Sequence, residues 1–427
     1  MQKKLLKIGD KSYNTTGNDL LDLLFMTEYY NNHLKEVRIG TSKKEQLFSM
    51  FIRDGRYGIG KMDLGRKLME LSGVSPENIV EAGRFDDLFM YYAAENIEYL
   101  HQELLKGNEL AKKWAPRFNS KHRRIAKALC KTWKMSPKEY RKLIKCDTVE
   151  NKLSRHRIDD IKFEHVPSLA MIKYFKRFMQ EARFLEYLES VKKGEKKLNV
   201  STTTVYDIYR NREKIDADLF FDKIEKISIN CIPILDTSGS MWDSNDSIGK
   251  ATSIAHYLAK CSTYCNGHVI SFSSCPKLIK IEENKDNRNY TYIRNNPYGV
   301  KNKYSRELNS MFTGDCSNTD FGKVMELLQK LEELPEYLVV LSDMEFDRGS
   351  NQSKNQLQQL WKEKGYTTKI VWWNFNSRNT TVPELDENGN IYLSGYNPYL
   401  LKFLEAGFDG EKFLNKLLDE YKKKIEK

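Results

Sequence analysis

The chain is short of several things, and each shortage removes a class of protein. No apolar run approaches the roughly 20 residues of a membrane span, and the opening MQKKLLKIGDKSYNTTG has no apolar stretch of a signal peptide. The expectation is an intracellular, cytoplasmic chain that engages no membrane. Cysteine is sparse: Cys130, Cys146, Cys231, Cys261, Cys265, Cys275 and Cys316 are odd in number and scattered, which suits reduced thiols better than a disulfide framework. Asn14-Thr15-Thr16 is then not a glycosylation site. The seven histidines are dispersed too, so no nucleophile arrangement stands out. Acidic charge is also in deficit, with 59 Asp and Glu against 70 Lys and Arg, a formal net charge of +11.

That excess is not spread evenly. Residues 1 to 230 hold 45 basic and 33 acidic side chains, or +12, and the remainder holds 25 and 26, or −1. The densest part, Lys112 to Lys145, has thirteen basic residues and one acidic residue, Glu139. One-sidedness of this kind is the footprint of a surface that meets phosphates, whereas most charge runs are only solvated helix faces. With 40% hydrophobic and 12% aromatic residues over 427 positions, the chain has enough apolar material for two or three folded domains.

From Leu20 to about Phe221 the apolar spacing is helical almost throughout, with segments at Leu20–Phe25, Leu47–Ile52, Lys61–Leu71, Phe85–Leu105, His122–Trp133, Pro137–Ile144 and Ser168–Val191. Gly58 and Gly60, Ser75-Pro76, Ser136-Pro137 and Val166-Pro167 mark their borders. Gly58-Ile59-Gly60-Lys61 lacks the spacing and the hydroxyl of a phosphate loop, since Met62 follows, and reads as a turn. Lys192 to Lys197 is a charged bend, Asp207 to Asp218 a polar connection, and the domain border falls near Asp222. Short successive helices suggest a solenoid or bundle with degenerate HEAT-like pairing.

Beyond the border, strands and helices alternate, as in a doubly wound α/β domain. Strands are expected at Ile227–Leu235, His268–Phe272, Lys277–Ile281, Tyr337–Leu341, Lys369–Phe375 and Ile391–Ser394. Helices are expected at Ile248–Tyr264, Phe321–Leu331, near Gln356–Lys364, and at Leu400–Leu404 and Phe413–Tyr421, with a surface insertion over Glu282–Tyr304. Trp372-Trp373 should pack on the two sheet faces. Cys261, Cys265, His268 and Cys275 offer zinc-ligand types, but Cys261 and Cys265 suit a helix core better.

Seven of the nine residues before Asp236 are apolar or β-branched, so a buried strand runs directly into Asp236-Thr237-Ser238-Gly239-Ser240. One carboxylate and two hydroxyls can converge there, at the strand's carboxyl end where open α/β sheets bind ligands. Asp343 ends a second strand on the same edge, and Thr319 precedes a helix. Five hard oxygen donors, Asp236, Ser238, Ser240, Thr319 and Asp343, suit Mg²⁺ or Mn²⁺.

This ordered set resembles the metal-ion-dependent adhesion site of von Willebrand factor A domains, which implies a Mg²⁺-dependent docking point for an acidic protein ligand. Haloacid-dehalogenase phosphatases share the first Asp but need a second Asp two residues on, and Ser238 stands there. The helical half is similar to the TROVE module of the Ro autoantigen family, through Arg53-Asp54, Gly58, Gly60, Lys61 and Arg66, Gly83-Arg84-Phe85-Asp86-Asp87-Leu88, Lys113-Trp114-Ala115-Pro116-Arg117 and Glu139-Tyr140-Arg141. It resembles more closely still domain-of-unknown-function family 2828, whose carboxyl-terminal motifs match Lys369–Asn374, Leu393–Tyr396 and Leu400–Leu404. The resemblance implies a helical repeat ring, closed by an A domain, that binds small structured or misfolded RNA. Lys112, Lys113, Arg117, Lys121, Arg123, Arg124 and Lys127 are the phosphate-contact candidates it brings forward. The expected protein is therefore a non-enzymatic RNA binder with a metal-dependent docking site. A metal-dependent protein scaffold without RNA, and a Mg²⁺-dependent phosphatase, stand as alternatives.

Overall fold

Strand-forming sequence is concentrated after residue 230, and there it makes one sheet. The computed structural model describes residues 3–5, 11–13, 17–89, 93–200, 202–273, 275–281, 303–312, 321–331, 333–344, 359, 363, 365–375, 384–385, 389–396, 399–407 and 409–426. The chain divides into two units, Met1–Met26 with Ser168–Phe413, and Thr27–Pro167 with Leu414–Lys427.

In the first unit, β1 (Lys3–Leu5) and β2 (Lys11–Tyr13) pair as an antiparallel ribbon that the sequence pattern did not announce. The main sheet comprises β3 (Cys231–Asp236), β4 (His268–Phe272), β5 (Lys277–Lys280), β6 (Tyr337–Ser342), β7 (Lys369–Asn374), β8 (Glu384–Leu385) and β9 (Ile391–Ser394). Their spatial order is β5-β4-β3-β6-β7-β9-β8. The five inner strands run parallel, and β5 and β8 are antiparallel edges. All six residues of β3 and of β6 are buried, as expected of central strands covered on both faces. Fully burying one Leu, Ile or Val side chain contributes about 1.5–3 kcal/mol, so these two strands anchor the sheet. Trp372 and Trp373 are buried, the latter donating its indole N–H to Gly395 O at 2.8 Å. The helix Ser247–Cys261 is buried over almost its whole length and lies on β3, β4 and β6.

Three expectations for this unit are corrected. Ser168–Val191 is two helices, Ser168–Phe178 and Ala182–Lys192. The reversal between them returns Phe184 to within 5.4 Å of both Phe175 and Phe178, a contact that one straight helix would forgo. The supposed polar connection holds the helices Val205–Asn211 and Ala217–Lys223. A capping box of Thr204 and Asp207 starts the first, and its inward residues Val205 and Ile208 are too few for a visible period. Cys265 is likewise not on a helix; it lies in the turn after Cys261 and is buried. The expected helix near Gln356–Lys364 and most of the insertion fall outside the described residues.

The second unit is helical, and its glycine motif is architectural. Helix Lys43–Arg53 packs on helix Met62–Ser72. A Cβ on Gly58 would lie 1.9 Å from the Phe51 carbonyl oxygen, and Gly60 has φ +77°. The turn is therefore folded against the helix before it, with Ile59 N–H and Lys61 N–H donating to Phe51 O and Ile52 O. The run Phe85–Leu105 is again two helices, Phe85–Leu88 and Ala94–Leu105. The charged motif residues converge in an internal network: Arg53 and Arg66 reach Asp87 at 2.7 and 2.5 Å, and Arg84 reaches Asp86 at 3.3 Å. Tyr421 of the terminal helix donates to the buried Asp54 carboxylate at 3.2 Å.

Candidate metal centre and basic face

The strand order changes direction between β3 and β6, because β3 is followed by β4 on one side and the chain then continues through β6, β7 and β9 on the other. A crevice opens at the carboxyl ends of two such strands. Leu235 and Leu341 are register partners, so the residues after them, Asp236 and Ser342, close the two strands side by side. Ser342 Oγ donates to Asp236 Oδ2 at 2.5 Å, and the Ser238 N–H donates to Oδ1 at 2.9 Å. The neighbouring Thr237 is pinned to β4, its N–H and hydroxyl both donating to Phe272 O.

A short 3-10 turn, Gly239–Met241, then brings Ser240 back, so that Ser238 Oγ and Ser240 Oγ lie 3.2 Å apart. Asp236 and Ser238 are buried while Ser240 is exposed, which leaves the site accessible on the Ser240 side. Asp343 follows Ser342 and is also buried. Met344 after it adopts φ +64°, a left-handed conformation that costs a side-chain-bearing residue roughly 1 kcal/mol, held here by its N–H on Ser342 Oγ at 2.9 Å.

Four of the five expected donors, Asp236, Ser238, Ser240 and Asp343, therefore stand at one edge of one unit. Thr319 lies outside the described residues. Burial pushes the Asp236 carboxyl up to about 6, against the lowering effect of the Ser342 and Ser238 hydrogen bonds, and the Asp343 charge pushes it further the same way. Among the described residues no Lys, Arg or His forms an ion pair with Asp236. Two buried carboxylates on adjacent strand ends with converging hydroxyls fit a hard divalent cation: these groups would hold it, and its charge would offset the desolvation of both acids. Ser342 escaped the sequence reading as a site residue. Its role is to orient Asp236, and the only trace it left was its place directly before Asp343.

The basic stretch lies in the second unit on helices Glu109–Trp114, Arg123–Thr132 and Pro137–Leu143. The seven candidates divide by environment. Lys112, Lys113 and Arg117 are half-buried: Lys112 pairs with Glu109 at 2.8 Å, Lys113 lies 5.3 Å from the Trp114 ring centroid, and Arg117 donates to Lys112 O. Lys121, Arg123, Arg124 and Lys127 are exposed, as are Lys131 and Lys134, and among the described residues none of these six has a carboxylate partner. Ala126, Leu129 and Cys130 form the inward face of the same helix. Arg123 and Arg124 occupy its first turn, which holds no acid, where the helix dipole disfavours cations.

The fold and site define a two-part chain, a helical region followed by a mostly parallel α/β domain with an oxygen-rich crevice at its topological switch. Two family models match successive parts of the chain. Residues 110–227 match the model of a domain of unknown function (DUF2828), and residues 230–427 match that of a second domain of unknown function (DUF7788). An uncharacterized protein of Acanthamoeba polyphaga mimivirus is 25% identical over 336 residues, 69% of this chain; the chain spans 57% of that relative's length. The crystal structure of the Deinococcus radiodurans RO (RSR) protein aligns over 93% of this chain and 95% of its own with 12% identity and a TM-score of 0.38. Among the described residues, no helix is long and apolar enough to cross a membrane.

Proposed function

We propose that this chain is a non-enzymatic, Ro-like RNA-binding protein whose α/β domain, of the von Willebrand factor A type, docks an acidic group of a partner through Mg²⁺ or Mn²⁺. The observation that carries the RNA assignment is the cation row on and beside helix Arg123–Thr132, exposed and without carboxylate partners among the described residues. Cations placed at the wrong end of a helix dipole lower the stability of the free protein, and bound phosphates reverse that effect. The ligand class is small structured or misfolded RNA, held mainly through its backbone with little sequence preference. The helical half, read as HEAT-like pairs, supplies this face.

In the α/β domain, Asp236, Ser238, Ser240 and Asp343, with Thr319, would hold the metal, which supplies a positive docking point for a partner's carboxylate. The depth of Asp236 also favours a second reading, a metal-dependent protein scaffold that binds no RNA. Purification at low salt followed by sequencing of co-purifying nucleic acid separates the two. The expected result is RNA retained at low salt and released by added salt. A preparation free of nucleic acid, with no affinity for added RNA, would leave the scaffold.

A further inference from the structure

Directly after the turn that carries Ser240 stands Trp242, 44% exposed and the only large aromatic residue that open among the described residues of its unit. Its N–H donates to Gly239 O at 3.2 Å, so it belongs to the same turn as Ser240. Two residues of chain place the two Cα atoms within about 7.6 Å of each other. The segment beyond is fixed, because the Asp243 carboxylate accepts from Asn245 N–H, Ser247 N–H and Ser247 Oγ. Trp242 is thus held at the rim of the strand-end crevice by a loop anchored through the Asp243 carboxylate.

A second aromatic ring comes to it from another element. Phe312, half-buried, lies 6.0 Å from Trp242 between ring centroids. It follows the helix Lys303–Ser310, which is tied down at its start and at its middle. Asp218 accepts from the N–H groups of Lys303 and Tyr304, and the buried Glu307 is held by His256 at 2.8 Å and Lys260 at 2.7 Å. The two rings therefore form a preorganised apolar shelf beside the metal site. Aromatic residues displayed in this way are the commonest anchors of protein interfaces.

The loop that carries Trp242 is acidic; the next cation in sequence is Lys250 beyond it, and Lys303 and Arg306 lie on the helix before Phe312. From Ile227 to Gly249 there is no Lys or Arg, while Asp236, Asp243 and Asp246 are present. Asp243 and Asp246, which are not among the metal donors, would repel a polyanion such as RNA more than a segment with a single carboxylate. We infer that the strand-end crevice binds a peptide segment of a partner protein in which one acidic residue is adjacent to a large aliphatic or aromatic residue, the acid reaching the metal and the apolar side chain covering Trp242 and Phe312. This rests on the metal-dependent docking part of the function proposed above and adds the specificity-determining contact.

The experiment is selection of a random displayed peptide library on the full chain in millimolar Mg²⁺, with elution by EDTA. The recovered peptides are then measured by fluorescence anisotropy against wild type, Trp242→Phe and Trp242→Ala. Mn²⁺ uptake by each protein is followed by electron paramagnetic resonance, and circular dichroism confirms folding. The expected outcome is EDTA-released peptides that pair Asp or Glu with an aromatic or aliphatic neighbour. Their affinity should fall about 10- to 100-fold in Trp242→Ala and less in Trp242→Phe, the range of an interface anchor, with Mn²⁺ uptake unchanged. Peptides enriched in acid alone, or bound equally by Trp242→Ala, would overturn the inference while leaving the metal site standing. So would Trp242-dependent capture of a single-stranded RNA oligonucleotide. Absence of Mn²⁺ uptake by wild type would instead remove the docking site itself.

Discussion

Replacing Arg123 and Arg124 together by Gln isolates the electrostatic part of the RNA binding proposed above. Both side chains are exposed, and neither has a carboxylate partner among the described residues, so the fold loses no contact. Stability should stay within about 0.5 kcal/mol, or rise slightly as two cations leave the first turn. Each phosphate contact on a single strand contributes about 0.7 to the slope of log affinity against log salt, so two lost contacts flatten the slope by about 1.4. Over a tenfold rise in salt, the wild-type affinity should therefore drop about 25 times further than that of the variant. Anisotropy titrations of a labelled single-stranded RNA at several KCl concentrations give both slopes. Charge reversal at the same positions should lower affinity at every salt concentration. An unchanged slope in the Gln variant, with wild-type affinity, would refute the placement of phosphates on this helix.

Other consequences follow from buried contacts. Asp87→Ala removes the shared partner of Arg53 and Arg66, two largely buried guanidinium groups, and should cost about 3–5 kcal/mol in urea unfolding of the full chain. Gly58→Ala sets a Cβ 1.9 Å from the Phe51 carbonyl, so a backbone shift costing about 1–3 kcal/mol is expected, with RNA affinity preserved wherever the protein remains folded. Burial lowers the His256 pKa below its ordinary 6.5. For Glu307, burial is outweighed by the hydrogen bonds from His256 and Lys260, and its carboxyl is held down to about 2. Both folded values lie below the unfolded ones, so this stability is present above about pH 6.5 and is lost on acidification, first through His256 and then through Glu307 between 4.5 and about 2. The urea midpoint should fall as the pH drops below 6.5, and His256→Gln should remove the first part of that fall.

The sheet was legible because its strands are short, almost wholly apolar and end in polar clusters: Cys231–Asp236 and Tyr337–Ser342 announce themselves. The same property located Asp236 and Asp343, since a buried strand must deliver the residue at its end to the sheet's edge. Ser342 was not legible as a site residue, because its work is to hydrogen-bond a carboxylate more than 100 positions away, and only the parallel register of β3 and β6 brings them together. In the helical half, the periods of Lys43–Arg53 and Arg123–Thr132 were plain, but the reversal after Phe178 was not. It depends on the tertiary contact of Phe184 with Phe175, which leaves no local signal. The motif of Arg53, Arg66, Arg84, Asp86 and Asp87 was legible only as a resemblance, and the structure spends its charge on an internal network.

Metal uptake at the strand-end crevice is the most direct measurement. Mn²⁺ titrated into the full chain and followed by electron paramagnetic resonance should show a bound ion displaced by Mg²⁺. That ion should be absent from Asp236→Asn, whose circular dichroism should remain that of the wild type. Equal Mn²⁺ binding by wild type and Asp236→Asn, or none by either, would contradict the assignment of Asp236, Ser238, Ser240 and Asp343 as a metal-dependent docking site.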